Sequence, residues 1–570
     1  MKNYGKMRAM MCLTCGILMT QMVGCGAKTE VETEAKTEVK TEVKTEAETV
    51  VETKSISVTL EEGGEKTVSY EPEDLNADWD AQTAANIILT ESGITAEGTG
   101  VQADGTTVVI QQAGTYVLSG VLEDGQVRIE ANEGELVHLV LNGAELSNKT
   151  TASIYGTEKC KVVLTLAEGT SNKISDAGTY QYAEGEDEPD APIFLKGDLS
   201  INGTGALEVN GTNACGIRSK GDLKMVSGTV KIDAADDGLK GKDSVVISGG
   251  ELNIVSGGDG IKSNQDKDAE KGYVWIAGGT IRIAAKQDGI QAEHALIIQD
   301  GSIEITESDE ALEGKSVDIF GGVIKANASD DGINAAGPAE TEWEKMQDQD
   351  GVYIHIAGGE IWLNANADGV DSNGDLYMDG GTLYLSTPVI GDASIIDYNG
   401  TARITGGIVA AAGGTMMMQD FGEESAQNYL VNYYEETQNG GTEIQLKDAD
   451  GNVLVSFAPE KDFEAVIIST PEIVTDGNYQ IVTGEHVVET AVRGGKTEIG
   501  EKKGFRGGPG GHGGGRGPRP DGEGMMPPEG RDFPEGMTPP EGKGFQAGKT
   551  PGDGKRAEKK TRSESESSED

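Results

Sequence analysis

The chain has 570 residues with 97 acidic and 47 basic side chains, and its formal net charge of −50 argues against a nucleic-acid partner. Eighty-three glycines and only eight phenylalanines suit a turn-dense β-solenoid with a thin aliphatic core. A chain this long usually divides into several domains, but a solenoid grows without splitting.

Residues 1–25 read as an export leader. Lys2, Lys6 and Arg8 precede an apolar stretch from Ala9 to Val23, and Met22-Val-Gly-Cys25 follows. The small residue before Cys25 resembles the lipobox of bacterial lipoproteins, which implies cleavage before Cys25, a lipid on its thiol and a membrane-anchored place on the bacterial cell surface. Residues 26–54 repeat Thr-Glu-Val-Lys-like units without core positions, a charged, low-complexity acidic spacer. Fully extended at ~3.3 Å per residue, it reaches roughly 100 Å.

From 55 to 213 the pattern is β-like but irregular, with strand candidates at Val108–Ile110, Tyr116–Leu118, Val137–Leu141 and Val162–Leu166. This segment is expected to hold an N-terminal cap and irregular rungs, interrupted by the acidic loop Asp176–Asp190. Residues 214–415 carry the regular rungs, 416–499 a small C-terminal β cap with turn signals at Asn439-Gly440-Gly441 and Asp448–Gly451, and 500–570 a Gly/Pro/Met-rich tail that is disordered by composition. Beyond Cys12, Cys15 and Cys25 only Cys160 and Cys215 remain, which is no disulfide framework, and two buried free thiols are expected.

The regular segment is organised by a short motif: Asp237-Gly-Leu-Lys, Asp259-Gly-Ile-Lys, Asp288-Gly-Ile-Gln, Glu310-Ala-Leu-Glu, Asp331-Gly-Ile-Asn and Asp368-Gly-Val-Asp, preceded by Cys215-Gly-Ile-Arg. Its apolar residue recurs at 217, 239, 261, 290, 312, 333 and 370, in steps of 22, 22, 29, 22, 21 and 37. Each repeat holds three short alternating runs separated by glycine-rich turns, the pattern of strands and not of helices. The fold expected is therefore all-β: a right-handed parallel β-helix with three-strand rungs of ~22 residues, whose equivalent side chains stack in ladders. The doublets Gly249-Gly250, Gly278-Gly279, Gly321-Gly322, Gly358-Gly359, Gly380-Gly381 and Gly406-Gly407 mark one corner, where positive φ is required.

Alternation assigns the outward ladders. The third strand presents Arg218, Lys240 and Lys262, a basic column suited to sugar carboxylates and equally to a solvated mixed-charge face. The first strand presents Val246, Trp275, Ile297, Asp318, His355 and Tyr377, and the second ends in Trp362 and Tyr384. Insertions at Asn264–Gly272 and Ala336–Asp350 lie just before Trp275 and His355, positioned to build a site there or to bury the aromatics. Substrate contacts are expected at Arg218, Lys240, Lys262, Trp275, His355 and Tyr377. The corner column Asp237, Asp259, Asp288, Glu310, Asp331 and Asp368, with Asp236 and Asp330 beside it, stacks hard oxygen ligands at the density that suits Ca2+. The alternative is that each Asp caps its own turn on backbone N–H groups.

Two enzyme classes fit poorly. A lyase base must be singled out by its environment, whereas Lys240 and Lys262 stand in an undifferentiated column. A glycosidase needs two carboxylates at a defined separation, and a ladder of six offers many pairs.

Ala234-Ala-Asp-Asp-Gly-Leu-Lys-Gly-Lys-Asp-Ser-Val-Val-Ile-Ser-Gly-Gly, Gly257-Gly-Asp-Gly-Ile-Lys-Ser-Asn and Ala328-Ser-Asp-Asp-Gly-Ile-Asn-Ala-Ala-Gly resemble the clostridial carbohydrate-binding β-helix lipoproteins, once a domain of unknown function. The resemblance covers roughly residues 60–490. It implies a polysaccharide-lyase-like β-helix, bound calcium, affinity for cellulose and acidic, polygalacturonate-like polysaccharides, and no established catalysis. Cys215 departs from the family's acidic residue, which puts a calcium site there in doubt; Arg218 replaces its Lys, and Ala311 its Gly, tightening that corner. The function expected is a calcium-binding, surface-displayed polysaccharide-binding protein. A pectate-type lyase and a surface adhesin with structural calcium are the alternatives.

Overall fold

The computed structural model describes residues 54–502 apart from 183, 340 and 392. The leader with Cys25, all but the last residue of the spacer, and the tail beyond 502 lie outside the described residues. Every strand candidate named above falls in a strand: Thr107–Ile110, Gly114–Leu122, Leu136–Asn148 and Lys161–Leu166.

The seven spaced apolar positions come into register. Ile217, Leu239, Ile261, Ile290, Leu312, Ile333 and Val370 pair successively in parallel, each fully buried. These third strands belong to a thirteen-stranded sheet running from Val101–Asp104 to Ile396–Tyr398.

The pairing of the other strands corrects the expected architecture. The chain does not form an open right-handed β-helix whose rungs supply three separate sheets; first and second strands join into one closed, mainly parallel β-barrel, with further sheets beside it. The reason lies at the glycine corner. Leu136–Asn148, Tyr273–Ala284 and Ala295–Glu307 run through it as single strands of 13, 12 and 13 residues, so hydrogen bonding passes from one face to the next. The C-terminal segment is not a wholly separate cap either. Tyr429–Gln438, Phe463–Ser469 and Lys496–Ile499 pair into the barrel, and only Ile444–Asp448, Val453–Phe457, Asn478–Thr483 and His486–Ala491 form a four-stranded antiparallel sheet.

One continuous aliphatic core fills the interior from Ala85 to Ile467. In each corner doublet the second glycine carries the positive φ, from 73° at Gly381 to 99° at Gly279. The motif glycines answer a different need. None has positive φ; a Cβ on Gly260 would lie 2.5 Å from the carbonyl oxygen of Gly289 in the next layer. Close stacking of layers, more than backbone conformation, therefore selects glycine here. Gly260→Ala is expected to cost about 1–3 kcal/mol by overpacking, read as a lower denaturant midpoint at unchanged m-value; a change corresponding to less than ~0.5 kcal/mol would show that the layers part easily.

An N-terminal hairpin, Lys54–Leu60 paired with Gly64–Tyr70, forms a sheet of its own and lies across the first-strand face. The helical turn Pro72–Leu75 anchors it: buried Asp74 takes Lys161 at 2.6 Å and the Ser200 hydroxyl at 2.6 Å.

Candidate functional site

The third-strand corner is where the acidic column was expected. One oxygen of Asp237, Asp259, Asp288 and Asp331 caps the next layer, not the residue's own turn. The backbone N–H groups of Asp259, Asp288, Glu310 and Asp368 donate to Asp237, Asp259, Asp288 and Asp331 at 3.0, 2.9, 3.2 and 2.7 Å. The second oxygen of Asp237 and of Asp259 meets the residue three positions later, and along the column that position changes sign. In register it is Arg218, Lys240, Lys262, Gln291, Glu313, Asn334, Asp371 and Asp397.

In the first half the cations are already engaged. Lys240 is 2.6 Å from Asp237, Lys262 is bonded to Asp259, and Arg218 holds Asp190 and Glu188. Their side chains are 13%, 22% and 15% exposed, so the three form an internal ion-paired column and not an open basic groove. Burial pushes the Asp237 carboxyl up, but the Lys240 ammonium outweighs it and holds the group below its usual range. At Cys215, burial pushes the thiol far up, and its sulfur stands 3.9 Å from Asp236. A protonated thiol beside an Asp237 already paired to Lys240 is a poor cation ligand.

In the second half the residue at this position is Gln291, Glu313, Asn334, Asp371 or Asp397, none of them basic. Asp288, Glu310 and Glu313 bring ligand oxygens within 4.8 Å of one another, as do Asp368, Asp371 and Asp397. Burial, then Glu313, raises Asp288 to about 7; burial, then Glu313 and Asp288, raises Glu310 to about 9. Asp331 rises to about 7 and Asp371 to about 8, through burial first and then neighbouring carboxylates. Two all-oxygen clusters have the donor set that a hard dication takes. Of the expected metal ligands, Asp288, Glu310 and Asp368 stand in these clusters, with Asp330 and Asp331 beside the second. Asp236, Asp237 and Asp259 do not. Glu313, Asp371 and Asp397 were missed, although their change of sign along one ladder position is visible in the sequence.

The first-strand column pairs in register as Val246, Trp275, Ile297, Asp318, His355, Tyr377 and Arg403. It is not an open face. The hairpin's Ile56, Val58, Leu60, Val68 and Tyr70 pack on Val246, Trp275 and Ile297, and Trp275 is fully buried. His355 and Tyr377 are 5% and 6% exposed beneath the hairpin tip. Substrate contact expected at Trp275, His355 and Tyr377 gives way to packing, because the hairpin supplies the partners that a sugar would have supplied.

The second-strand column stays open. Arg282, Glu304, Lys325, Trp362 and Tyr384 follow in register. Trp362 stacks on Tyr384 with ring centroids 3.9 Å apart at 24°, and Tyr384 on Phe457 of the antiparallel sheet at 5.7 Å and 25°. The rings border a cleft of about 370 Å3, whose polar lining includes Glu304, Lys325, Asn327, Asn364 and Glu460. Asn364 donates to Asn327 at 3.0 Å and to Glu460 at 2.7 Å, which holds the cleft's floor in place. Half-buried flat rings beside fixed donors and acceptors make a site that stacks a ring-shaped ligand and hydrogen-bonds its edge.

A family model described as carbohydrate-binding domain-containing protein matches residues 104–342 and 296–501. The chain belongs to this carbohydrate-binding family. The matched span contains the open column, the cleft and the two acidic clusters. The family's name describes binding and not a reaction. A carbohydrate-binding domain-containing protein of Acetivibrio thermocellus is 35% identical over 152 residues, which are 26% of this chain and 53% of that protein. The match thus spans about half the relative's length. A solved structure described as a polysaccharide lyase-like protein from C. thermocellum, gadolinium derivative, is 31% identical, covering 45% of this chain and 97% of that one at a TM-score of 0.39.

Proposed function

We propose that this chain is a surface-displayed, calcium-binding protein that holds a cellulose-like polysaccharide at the cleft beside Trp362. The stacked ring pair at the open cleft carries this reading: a sugar's apolar face packs on an aromatic face, while Asn327, Asn364 and Glu460 line the same cleft. Asp288, Glu310 and Glu313 would hold one calcium ion, and Asp368, Asp371 and Asp397 another. The ion would supply charge neutralisation, and through it a stable stack of layers. Anchoring through a lipid on Cys25 completes the proposal and rests on the leader's pattern alone.

An acidic, polygalacturonate-like polysaccharide is the second reading. The acidic clusters are only half-buried, and calcium takes six to eight oxygens, so a uronate carboxylate has room to complete its shell. Arg218, Lys240 and Lys262 lend this reading nothing, since their charges are answered internally. The same pairing speaks against a lyase: burial lowers Lys262, but Asp259 outweighs it and raises the ammonium's pKa, the opposite of what a base needs.

The test is binding of the full chain to insoluble cellulose and to polygalacturonate, with calcium and with chelator, while ultraviolet absorbance reports unsaturated uronate. Trp362→Ala is expected to weaken cellulose binding by at least about tenfold, the ~1.4 kcal/mol of an aromatic anchor. Unchanged retention by that variant overturns the cleft as the site. An absorbance rise makes the protein a lyase.

A further inference from the structure

The hairpin tip brings Glu61 onto the first-strand column beside His355 and Asp379. His355 is buried, and its Nδ1 lies 3.1 Å from Oδ1 of Asp318, a fully buried carboxylate that also accepts the Tyr353 hydroxyl at 2.8 Å. The ring's other nitrogen, Nε2, is buried and makes no hydrogen bond. It faces two carboxylates, with Oδ2 of Asp379 at 3.4 Å and Oε2 of Glu61 at 3.9 Å. One ligand atom from each of the three residues falls within a 4.8 Å group. Phe320 stands edge-on to the imidazole at 5.8 Å and closes one side.

Charge points the same way. Glu61, Asp318 and Asp379 bring three negative charges. Arg403 answers one: it bonds Oε1 of Glu61 and lies 3.7 Å from Asp379. Around a neutral imidazole the balance is −2, which a dication cancels and a single proton on His355 halves.

We propose that Glu61, His355 and Asp379 form a site for a zinc-class divalent ion that clips the N-terminal hairpin to the barrel. Two ligand atoms each ~2.0–2.2 Å from one ion lie no more than about 4.2 Å apart, and both observed separations fit. The imidazole selects a borderline ion over calcium, in contrast to the all-oxygen clusters on the third-strand corner. Asp318 plays the outer partner, fixing the tautomer that leaves Nε2 free to coordinate. Glu61 and His355 are far apart in sequence, so the ion would close a long loop and hold down a two-stranded sheet that has no other hydrogen-bonded strand neighbour among the described residues.

Cobalt(II) is the probe, because its visible absorption reports nitrogen and oxygen ligation, and excess calcium keeps the acidic clusters filled. The full chain is expected to take up one equivalent of cobalt, displaced by zinc. Asp318→Asn should weaken uptake by ~10- to 100-fold, as an outer-shell partner does, and His355→Gln by more. Because His355 is buried, Glu61→Gln at the exposed tip is the deciding variant. Zinc should raise the melting temperature of the unsubstituted chain and protect residues 54–70 from protease, and both effects should vanish in Glu61→Gln. No stoichiometric uptake, or uptake that Glu61→Gln and His355→Gln leave unchanged, overturns the site.

Discussion

Raising the pH of chelator-treated protein from about 5 to about 8 is expected to lower its melting temperature by on the order of 5 °C, and calcium is expected to abolish that fall. Asp288 and Asp331 titrate at about 7, Asp371 at about 8 and Glu310 at about 9 in the cation-free fold. In the unfolded chain such groups titrate near ~4. A carboxyl raised on folding contributes stability that is complete below its unfolded pKa and is lost as pH rises through the folded one. The window therefore runs from about 4 to about 9, and stability falls across it. Each tenfold change in proton affinity is worth ~1.4 kcal/mol, so a thousandfold change surviving solvent screening amounts to roughly 4 kcal/mol. Calcium needs the ionised carboxylates and reverses the sign of the slope; at a hundredfold excess over its dissociation constant one site returns ~2.7 kcal/mol. The net charge of −50 adds a repulsion that also grows with pH, so ionic strength is held constant. Asp371→Asn isolates the cluster by flattening the chelator curve. A curve that is flat or rises without calcium, or a melting temperature at about pH 8 indifferent to calcium, removes the cation sites.

The apolar register was legible because it repeats. Branched residues at 217, 239, 261, 290, 312, 333 and 370 announce both the period and the direction of pairing, and they stack in that order. The closure of the sheet was not legible. Whether a Gly-Gly corner breaks the hydrogen-bond ladder or carries it through, as Tyr273–Ala284 does, depends on tertiary context that the local pattern does not encode. The site was half legible. The outward column ending in Trp362 and Tyr384 follows from alternation, but Phe457, which completes the stack, comes from a different sheet. The hairpin left a signal that was passed over. Ile56, Val58 and Leu60 alternate up to Glu61-Glu62-Gly63-Gly64, and Val68 and Tyr70 alternate after it, the signature of two strands about a short turn. Two alternating apolar strands that pair only with each other must cover something, and Val246, Trp275 and Ile297, outward on the first-strand ladder, were the apolar run in need of cover.

Trp275→Ala should separate these two views of one residue. Trp275 is fully buried against Val246, Ile297, Val68 and Tyr70, so truncation to Ala leaves a cavity worth about 3–5 kcal/mol. The loss should be local. The hairpin is a separate two-stranded sheet, too small to be stable alone, and it is held largely by this apolar contact. Amide exchange across 54–70 is therefore expected to accelerate by orders of magnitude, while the third-strand sheet keeps its protection. Trp275→Phe should cost far less. It keeps most of the ring and removes an indole N–H that is buried without a hydrogen-bond partner. Polysaccharide affinity at the Trp362 cleft should stay within about twofold in both variants, since the two columns face different sides of the corner. Had Trp275 been an open sugar platform, the pattern would invert: Trp275→Ala would abolish binding and leave exchange at 54–70 unchanged. That inverted result would mean that the hairpin leaves its seat in solution and that the covered face is the working one.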